Sequence, residues 1–206
     1  NILLAILSIL TGVLVARLLG PTGRGELSII QIYPQFLATL SLLGMSEAVA
    51  YYSANERESA GSFLISGLFI SLLACIPFFF LGYVAIPKII GQYPNTIVAS
   101  SQSYLFFLPV NAVLLLLTQS LRGRNHILFW NILRVLPSAS WLIILLSSVV
   151  NKDATPSSLA SRFLLASALL ILIFWLIGFR GLSGPFRVDL LIIKKLLFYG
   201  MPIALS

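Results

Sequence analysis

Apolar runs long enough to cross a membrane recur along the whole 206-residue sequence. A spanning helix needs about 20 mostly apolar residues. Such runs fall at about residues 1–18, 27–46, 61–86, 98–120, 128–150 and 159–179, and a seventh begins near Leu196. The breaks between them are all shorter than about 20 residues and leave no room for a soluble domain. The pattern predicts an all-α fold, a polytopic membrane helical bundle of six transmembrane helices plus the start of a seventh.

The composition excludes a water-soluble protein. Hydrophobic residues make up 59% of the chain and charged residues only 9%, whereas soluble domains carry about a quarter charged residues. The net charge of +7 comes from basic residues in the breaks between apolar runs, which favours a membrane surface over nucleic acid as the partner. A single cysteine, Cys75, excludes an internal disulfide framework and a multi-thiolate metal site.

The basic residues also predict the orientation. Breaks on the N-terminal side of the membrane, with Arg134 just inside the following span, hold eight of them: Arg57, Arg122, Arg124, Arg134, Arg180, Arg187, Lys194 and Lys195. The other side holds five: Arg17, Arg24, Lys88, Lys152 and Arg162. Because cytoplasmic loops carry the excess of Lys and Arg, the N-terminus is expected in the cytoplasm.

Polar residues follow one face of two predicted spans. The second span has Ser28, Gln31, Gln35, Thr39 and Ser46, and the fourth has Ser101, Tyr104, Asn111 and Thr118 with Gln119 beside them. The first set falls within about 80° of helical arc, and polar groups at membrane depth must face protein or water. Two interpretations remain open, namely the walls of a hydrated cavity and hydrogen bonds between helices in a dry bundle.

Motifs of catalysis and metal binding are missing from the sequence. The glycine-rich stretch GPTGRGE lacks the Gly-Lys-Ser/Thr ending of a phosphate loop. The single histidine, His126, has no paired metal ligand within helical reach. No nucleophile has a neighbouring base, and no carboxylates pair at membrane depth. We therefore expect no enzyme, no metal site and no resident cofactor.

Both ends of the chain carry the features of a known family. The stretch from Gly12 to Ala54, with ARLLGP at 16–21 and GRGE at 23–26, resembles the N-terminal portion of bacterial polysaccharide flippases, including O-antigen translocases of the multidrug/oligosaccharidyl-lipid/polysaccharide exporter superfamily. The closing KKLLFYGMPIALS resembles the opening of the second half of such proteins. The number and spacing of spans agree along most of the chain.

The resemblance implies a fold of two six-helix lobes around a cavity that opens alternately to each side. The chain would then be the N-terminal half: a six-helix lobe over 1–180, its first helix expected to be truncated, and an interfacial segment with the start of the second lobe over 181–206. Within that segment, Arg187, Lys194 and Lys195 share one face. They indicate either a short helix on the inner leaflet or positive flanks that orient the seventh helix.

The same resemblance implies a function in polysaccharide biosynthesis at the bacterial inner membrane. Such proteins flip undecaprenyl-diphosphate-linked oligosaccharides for the export of O-antigen (as in lipopolysaccharide), capsule or exopolysaccharide. The expected partners are the lipid-linked oligosaccharide, membrane lipid and the polysaccharide polymerase machinery, with no nucleic acid. Many superfamily members couple transport to Na⁺ or H⁺.

The candidate substrate-binding residues are those that could hold an anionic sugar lipid: Arg17, Arg24, Gln31, Gln35, Asn111 and Gln119. A guanidinium fork matches the geometry of phosphate. In the alternative interpretation, Arg17 and Arg24 only stabilise the helix end. The candidate residues of the structural turn are Gly20, Pro21, Gly23, Gly25 and Glu26, with Glu26 as a helix cap.

Three other classes of function compete with a flippase. A drug or ion antiporter of the same superfamily would need a carboxylate deep in the spans, and a non-transporting scaffold would lack a water-accessible stripe. A membrane glycosyl- or acyltransferase would need a catalytic acid or histidine cluster.

Overall fold

The chain is helical throughout the part that the structure describes. The computed structural model describes residues 2–182 and 184–205, with side chains except at 178–181, 204 and 205, so the side chain of Arg180 lies outside it. The elements are α1 (Ile2–Ser41), α2 (Met45–Asn55), a 3₁₀ turn (Arg57–Ser59), α3 (Ala60–Ile90), α4 (Asn95–Tyr104), α5 (Phe107–Gly123), α6 (Ile127–Asn151), α7 (Pro156–Gly181) and α8 (Leu190–Leu205). Within the described ranges there is no strand, so the all-α prediction is confirmed.

The number of spans differs from the prediction. Within the described residues, five helical stretches are long and apolar enough to cross a membrane: Ile2–Ser41, Arg57–Ile90, Asn95–Gly123, Ile127–Asn151 and Pro156–Ile177. The prediction of six plus a seventh counted α1 as two spans. The helix α1 has 40 residues. At 1.5 Å per residue, a straight helix of this length would extend for about 60 Å, twice the hydrocarbon thickness of about 30 Å. The expected start of a seventh span, near Leu196, lies within α8 (Leu190–Leu205).

A glycine divides α1 into two arms. Gly20 has φ 67° and ψ −175°, a conformation that is essentially restricted to glycine because it has no Cβ. Residues 8–15 and 24–31 line one small cavity, so the arms lie side by side. The turn is therefore shorter than the sequence suggested: Pro21 begins the second arm, and Gly23, Gly25 and Glu26 are already helical.

A proline interrupts the next polar helix in a similar way. Pro109 has no amide hydrogen, and its ring crowds the carbonyl of Leu105. Between α4 and α5 the amides of Leu105 and Phe106 donate to Gln102 and Ser103, each three residues back. The two helices thus form one span with a tightened turn in its middle.

The interior is apolar and the outer surface is apolar too. Phe63, Leu64, Leu116 and Leu117 are at most 1% exposed in the main core. A second cluster packs Ile30, Tyr104, Leu145 and Leu159 around the arms of α1 and the helices α4, α6 and α7. Large apolar side chains are also exposed on the outside of the bundle, for example Phe80, Leu128 and Leu176. Such extensive exposed apolar surface is typical of contact with lipid.

The last helix docks on α2 and α3. Leu196 is fully buried, and Lys195 Nζ lies 2.7 Å from Glu56 Oε1. The amide of Asp189 donates to Ser66 Oγ at 3.2 Å, and the carboxylate of Asp189 accepts from the amide of Leu191 at the start of α8. In the segment expected at the membrane interface, 181–206, the residues Leu190–Leu205 are therefore helical and are fixed to the end of the bundle that holds the α2–α3 connection.

Replacing Gly20 with alanine tests the hairpin. A Cβ at Gly20 would meet nothing within 4 Å, so the effect comes from the backbone alone. We expect Gly20→Ala to lower the free energy of unfolding by about 1–3 kcal/mol, measured by thermal or denaturant unfolding in detergent.

Gly25→Ala is the matched control, because this helical glycine also has open space around it. Alanine there should be neutral or stabilising by about 1 kcal/mol. Equal effects of the two substitutions would contradict the assigned turn.

Candidate functional site

Two polar cavities lie between the helices. The hairpin cavity, of about 320 Å³, is lined by Ser8, Thr11, Gly12, Val15, Arg24, Leu27, Ser28, Gln31 and Trp141. The α5–α6 cleft, of about 410 Å³, is lined by Leu115, Thr118, Gln119, Arg122, Trp130 and Arg134. An inner chamber of about 210 Å³ shares Leu115, Thr118 and Arg134 with the cleft and adds Phe107, Asn111, Leu114, Leu133, Pro137, Phe163, Ser167 and Phe174.

The hairpin cavity lies between the two arms of α1 and Trp141 of α6. Gly12 leaves open space where a side chain would stand. Arg24 is exposed and Gln31 is half-buried on the facing arm. The hydroxyl of Thr11 donates to the carbonyl of Leu7 at 2.8 Å. The cavity thus combines one guanidinium and one amide with the hydroxyl groups of three lining residues.

The polar stripes of the second and fourth predicted spans meet at Tyr104. This side chain is 1% exposed, and its hydroxyl accepts from Gln31 Nε2 at 3.5 Å. Nearby, Ser101 Oγ donates to the carbonyl of Ile30 at 3.3 Å. Part of both stripes is therefore bonded between helices, as in a dry bundle, while Gln31 also lines the hairpin cavity.

The α5–α6 cleft carries two arginines and an indole. On α6, Arg134 follows Trp130 by four residues, and its Cζ lies 5.1 Å from the centroid of an indole ring of Trp130. On α5, Gln119 and Arg122 share a face. Gln119 Nε2 donates to Glu47 Oε1 at 3.3 Å, so one carboxylate also stands close to the mouth.

Hydroxyl and amide groups continue from the cleft into the inner chamber. Thr118 Oγ1 donates to the carbonyl of Leu114 at 2.6 Å. Asn111 is half-buried. Ser167 is 1% exposed, and its Oγ has no hydrogen-bond partner within the described part of the chain. The chamber can therefore accept hydrogen bonds from, or donate them to, a polar guest.

The structure distributes four of the candidate residues over the two polar cavities and the inner chamber. Arg24 and Gln31 line the hairpin cavity, Gln119 lines the α5–α6 cleft and Asn111 lines the inner chamber. Arg17 is exposed at the end of the first arm, and it lies outside both cavities, as does Gln35.

Arg134 and Trp130 were missed as site residues in the sequence. Arg134 entered only the count of basic residues that sets orientation. The available indication was its place inside an apolar run, because a charge there generally faces a cavity or a partner. Its aromatic contact and its neighbour Arg122 on another helix required the fold.

Another arginine is committed to a turn. Arg162 makes an ion pair with Asp153 across the α6–α7 connection, and Arg162 Nη1 donates to Ser148 Oγ at 2.9 Å. The hydrogen bond from this guanidinium holds the pKa of Asp153 below its usual range. Over residues 2–182 and 184–205, no three His, Cys, Asp or Glu side chains gather as metal ligands.

Thiol labelling distinguishes hydrated cavities from a dry bundle. In a Cys75→Ala background, we expect cysteines placed at Gln31 and Asn111 to react with a charged, water-soluble thiol reagent. The rates should exceed that of a cysteine at Leu116 by about tenfold or more, because thiol reactivity follows exposure to water. Leu116 is a matched control on α5, since it is fully buried. Rates at Gln31 and Asn111 as low as that at Leu116 would contradict hydration.

Comparison with known proteins gives one family. Neither the curated proteins nor the solved structures provided a match. A family of polysaccharide biosynthesis proteins matches residues 1–206. This match agrees with a helical bundle whose apolar helices are long enough to cross a membrane several times. The chain belongs to the Polysacc_synt family of polysaccharide biosynthesis proteins.

Proposed function

We propose that this protein flips a lipid-linked oligosaccharide across the bacterial inner membrane during the export of a surface polysaccharide. The cargo class is an undecaprenyl-diphosphate-linked oligosaccharide, as for O-antigen, capsule or exopolysaccharide. The family match supports a role in polysaccharide biosynthesis, and the apolar helices support a multi-pass membrane location.

The observation that carries the proposal is the hairpin cavity. Arg24 and Gln31 face one polar space in a protein whose helices are otherwise apolar. The guanidinium of Arg24 is exposed on this space, where an anionic headgroup can reach it. A fork of donors also matches the oxygens of a phosphate. Arg24 is therefore placed to hold the diphosphate of the cargo, with Gln31 as a hydrogen-bonding neighbour.

The other candidate residues suit the uncharged part of the cargo. Asn111 and Gln119 carry amides, which can donate to and accept from sugar hydroxyls. The lipid tail would remain in the bilayer, beside the exposed apolar faces of the bundle. Bending at the break near Pro109 would allow the cavity between the two lobes to open toward one side of the membrane and then toward the other, as in transporters built from repeated halves.

The remaining parts of the proposal concern the orientation in the membrane, the two-lobe arrangement and the source of energy for transport. We place the N-terminus in the cytoplasm, so that Arg24 lies toward the outer face and the α5–α6 turn toward the inner face. We further propose that the chain forms the N-terminal half of a two-lobe transporter, works without a catalytic step, and couples transport to a gradient of Na⁺ or H⁺. Polysaccharide polymerase machinery would receive the product.

Substitution of Arg24 tests this function. In cells that depend on this protein for surface polysaccharide, we expect Arg24→Ala to lower delivery of lipid-linked oligosaccharide to the outer leaflet by about tenfold or more, because the phosphate loses a charge-assisted partner. Arg24→Lys should retain an intermediate rate, since it keeps the charge and loses the fork. Arg17→Ala should have a smaller effect than Arg24→Ala.

Lys88→Ala is the matched control, because Lys88 is an exposed cation that we assign to the same side of the membrane. Its effect should stay within about twofold, as for most exposed charges. The phosphate-binding role of Arg24 would be wrong if Arg24→Ala preserved delivery at normal protein levels.

A further inference from the structure

Two arginines from different helices line the α5–α6 cleft. Arg122 comes from the end of α5 and Arg134 from α6, on the side opposite Arg24 in the orientation proposed above. The cleft, of about 410 Å³, falls within the size range of ligand sites, about 300–1,000 Å³. Two guanidinium groups on one cavity repel each other, and an anion between them converts the repulsion into attraction.

The surroundings of Arg134 organise it for binding. Its guanidinium lies 5.1 Å from the Trp130 ring centroid, a distance at which cation–π attraction operates. Trp130 lies close to the start of α6, and tryptophan is enriched at the level of lipid headgroups. Leu128, two residues earlier, is 70% exposed, so apolar surface for a lipid chain borders the polar mouth.

A separate observation comes from a buried hydroxyl group in the inner chamber. The Oγ of Ser167 is buried and has no hydrogen-bond partner within the described residues. Buried hydroxyl groups nearly always have a partner, which can be a ligand or a water molecule. The chamber adjoins the cleft at Thr118 and Arg134 and also holds the amide of Asn111. A ligand headgroup in the cleft, or its hydration water, could reach these polar groups.

We propose that the α5–α6 cleft binds the phosphate headgroup of a membrane lipid. The phosphate lies between Arg122 and Arg134, the remaining headgroup extends toward Ser167, and the lipid tail lies along the outer surface near Leu128. Basic pockets between transmembrane helices on the cytoplasmic side bind anionic lipid headgroups in other membrane proteins. The phosphate has two sources, a resident anionic phospholipid and the diphosphate of the cargo, and only the second source rests on the proposed function.

Native mass spectrometry of the purified protein in detergent tests the site. The probes are dioctanoyl phosphatidylglycerol, dioctanoyl phosphatidylcholine as the zwitterionic reference, and farnesyl diphosphate as a soluble polyprenyl diphosphate. We expect the protein to retain phosphatidylglycerol in preference to phosphatidylcholine. Arg122→Gln with Arg134→Gln should lower retention by about tenfold or more, and replacement of both by lysine should restore part of it.

Arg187→Gln is the charge-matched control, because Arg187 is exposed outside the cleft. It should change retention by less than about twofold. Arg122→Gln alone is the second variant, since this exposed side chain can be changed without disturbing the packing, and it should weaken binding by itself. Retention by the double variant equal to that of Arg187→Gln would overturn the proposal.

Competition identifies the source of the phosphate. Displacement of phosphatidylglycerol by farnesyl diphosphate supports the cargo as a ligand of the cleft, and retention of phosphatidylglycerol supports a resident phospholipid. If neither phosphatidylglycerol nor farnesyl diphosphate binds above the phosphatidylcholine level, the site is overturned. Because this assay measures binding without transport, its failure leaves the proposed function standing, and a failed transport assay leaves the lipid site standing.

Discussion

Polar groups inside an apolar bundle must find either a partner or water, and this constraint governs the arrangement of the whole protein. The backbone satisfies it by forming helices throughout the described residues. Side chains satisfy it in two ways. Gln31 bonds Tyr104 on a neighbouring helix, whereas Arg24 and Ser28 reach a cavity. The polar positions that line cavities are therefore the ones that bear on function.

The breaks in the helices create the spaces that these side chains line. Gly20 reverses α1 and places its arms on either side of the hairpin cavity. The interruption before Pro109 lies one helical turn from Asn111, which lines the inner chamber. In both places a residue with unusual backbone chemistry, a glycine or a proline, lies next to a cavity. The local sequence therefore helps to determine the shape of the site.

Much of the fold could be read from the sequence because apolar length is a local property. The spans around α3, α6 and α7 fall where the apolar runs indicated. The turn after the first arm was expected at residues 20–26, but its confinement to Gly20 depends on one pair of backbone angles. The helix α2 was missed because its 11 residues are too few to form a membrane-spanning run, and packing of Met45, Ala48 and Val49 against the core stabilises it.

The candidate site was harder to read because cavities join residues that are distant in sequence. The polar stripes were visible as spacing, yet spacing alone did not distinguish Gln31, which bonds Tyr104 and lines a cavity, from the exposed Gln35. The pairing of Arg122 with Arg134 depends on how α5 packs beside α6. The chemistry of a side chain follows from its residue type, whereas the convergence of distant side chains on one cavity depends on the fold.

The most direct measurement of the central claim is translocation in vesicles whose only protein is the purified two-lobe transporter of which we propose this chain to be the N-terminal half. A fluorescent lipid-linked oligosaccharide placed in one leaflet would be followed by its exposure to a membrane-impermeant glycosidase on the other side. The account predicts that exposure becomes faster with the protein than in protein-free vesicles, with an imposed Na⁺ or H⁺ gradient tested in parallel. Equal rates with and without protein, under each gradient, would contradict it.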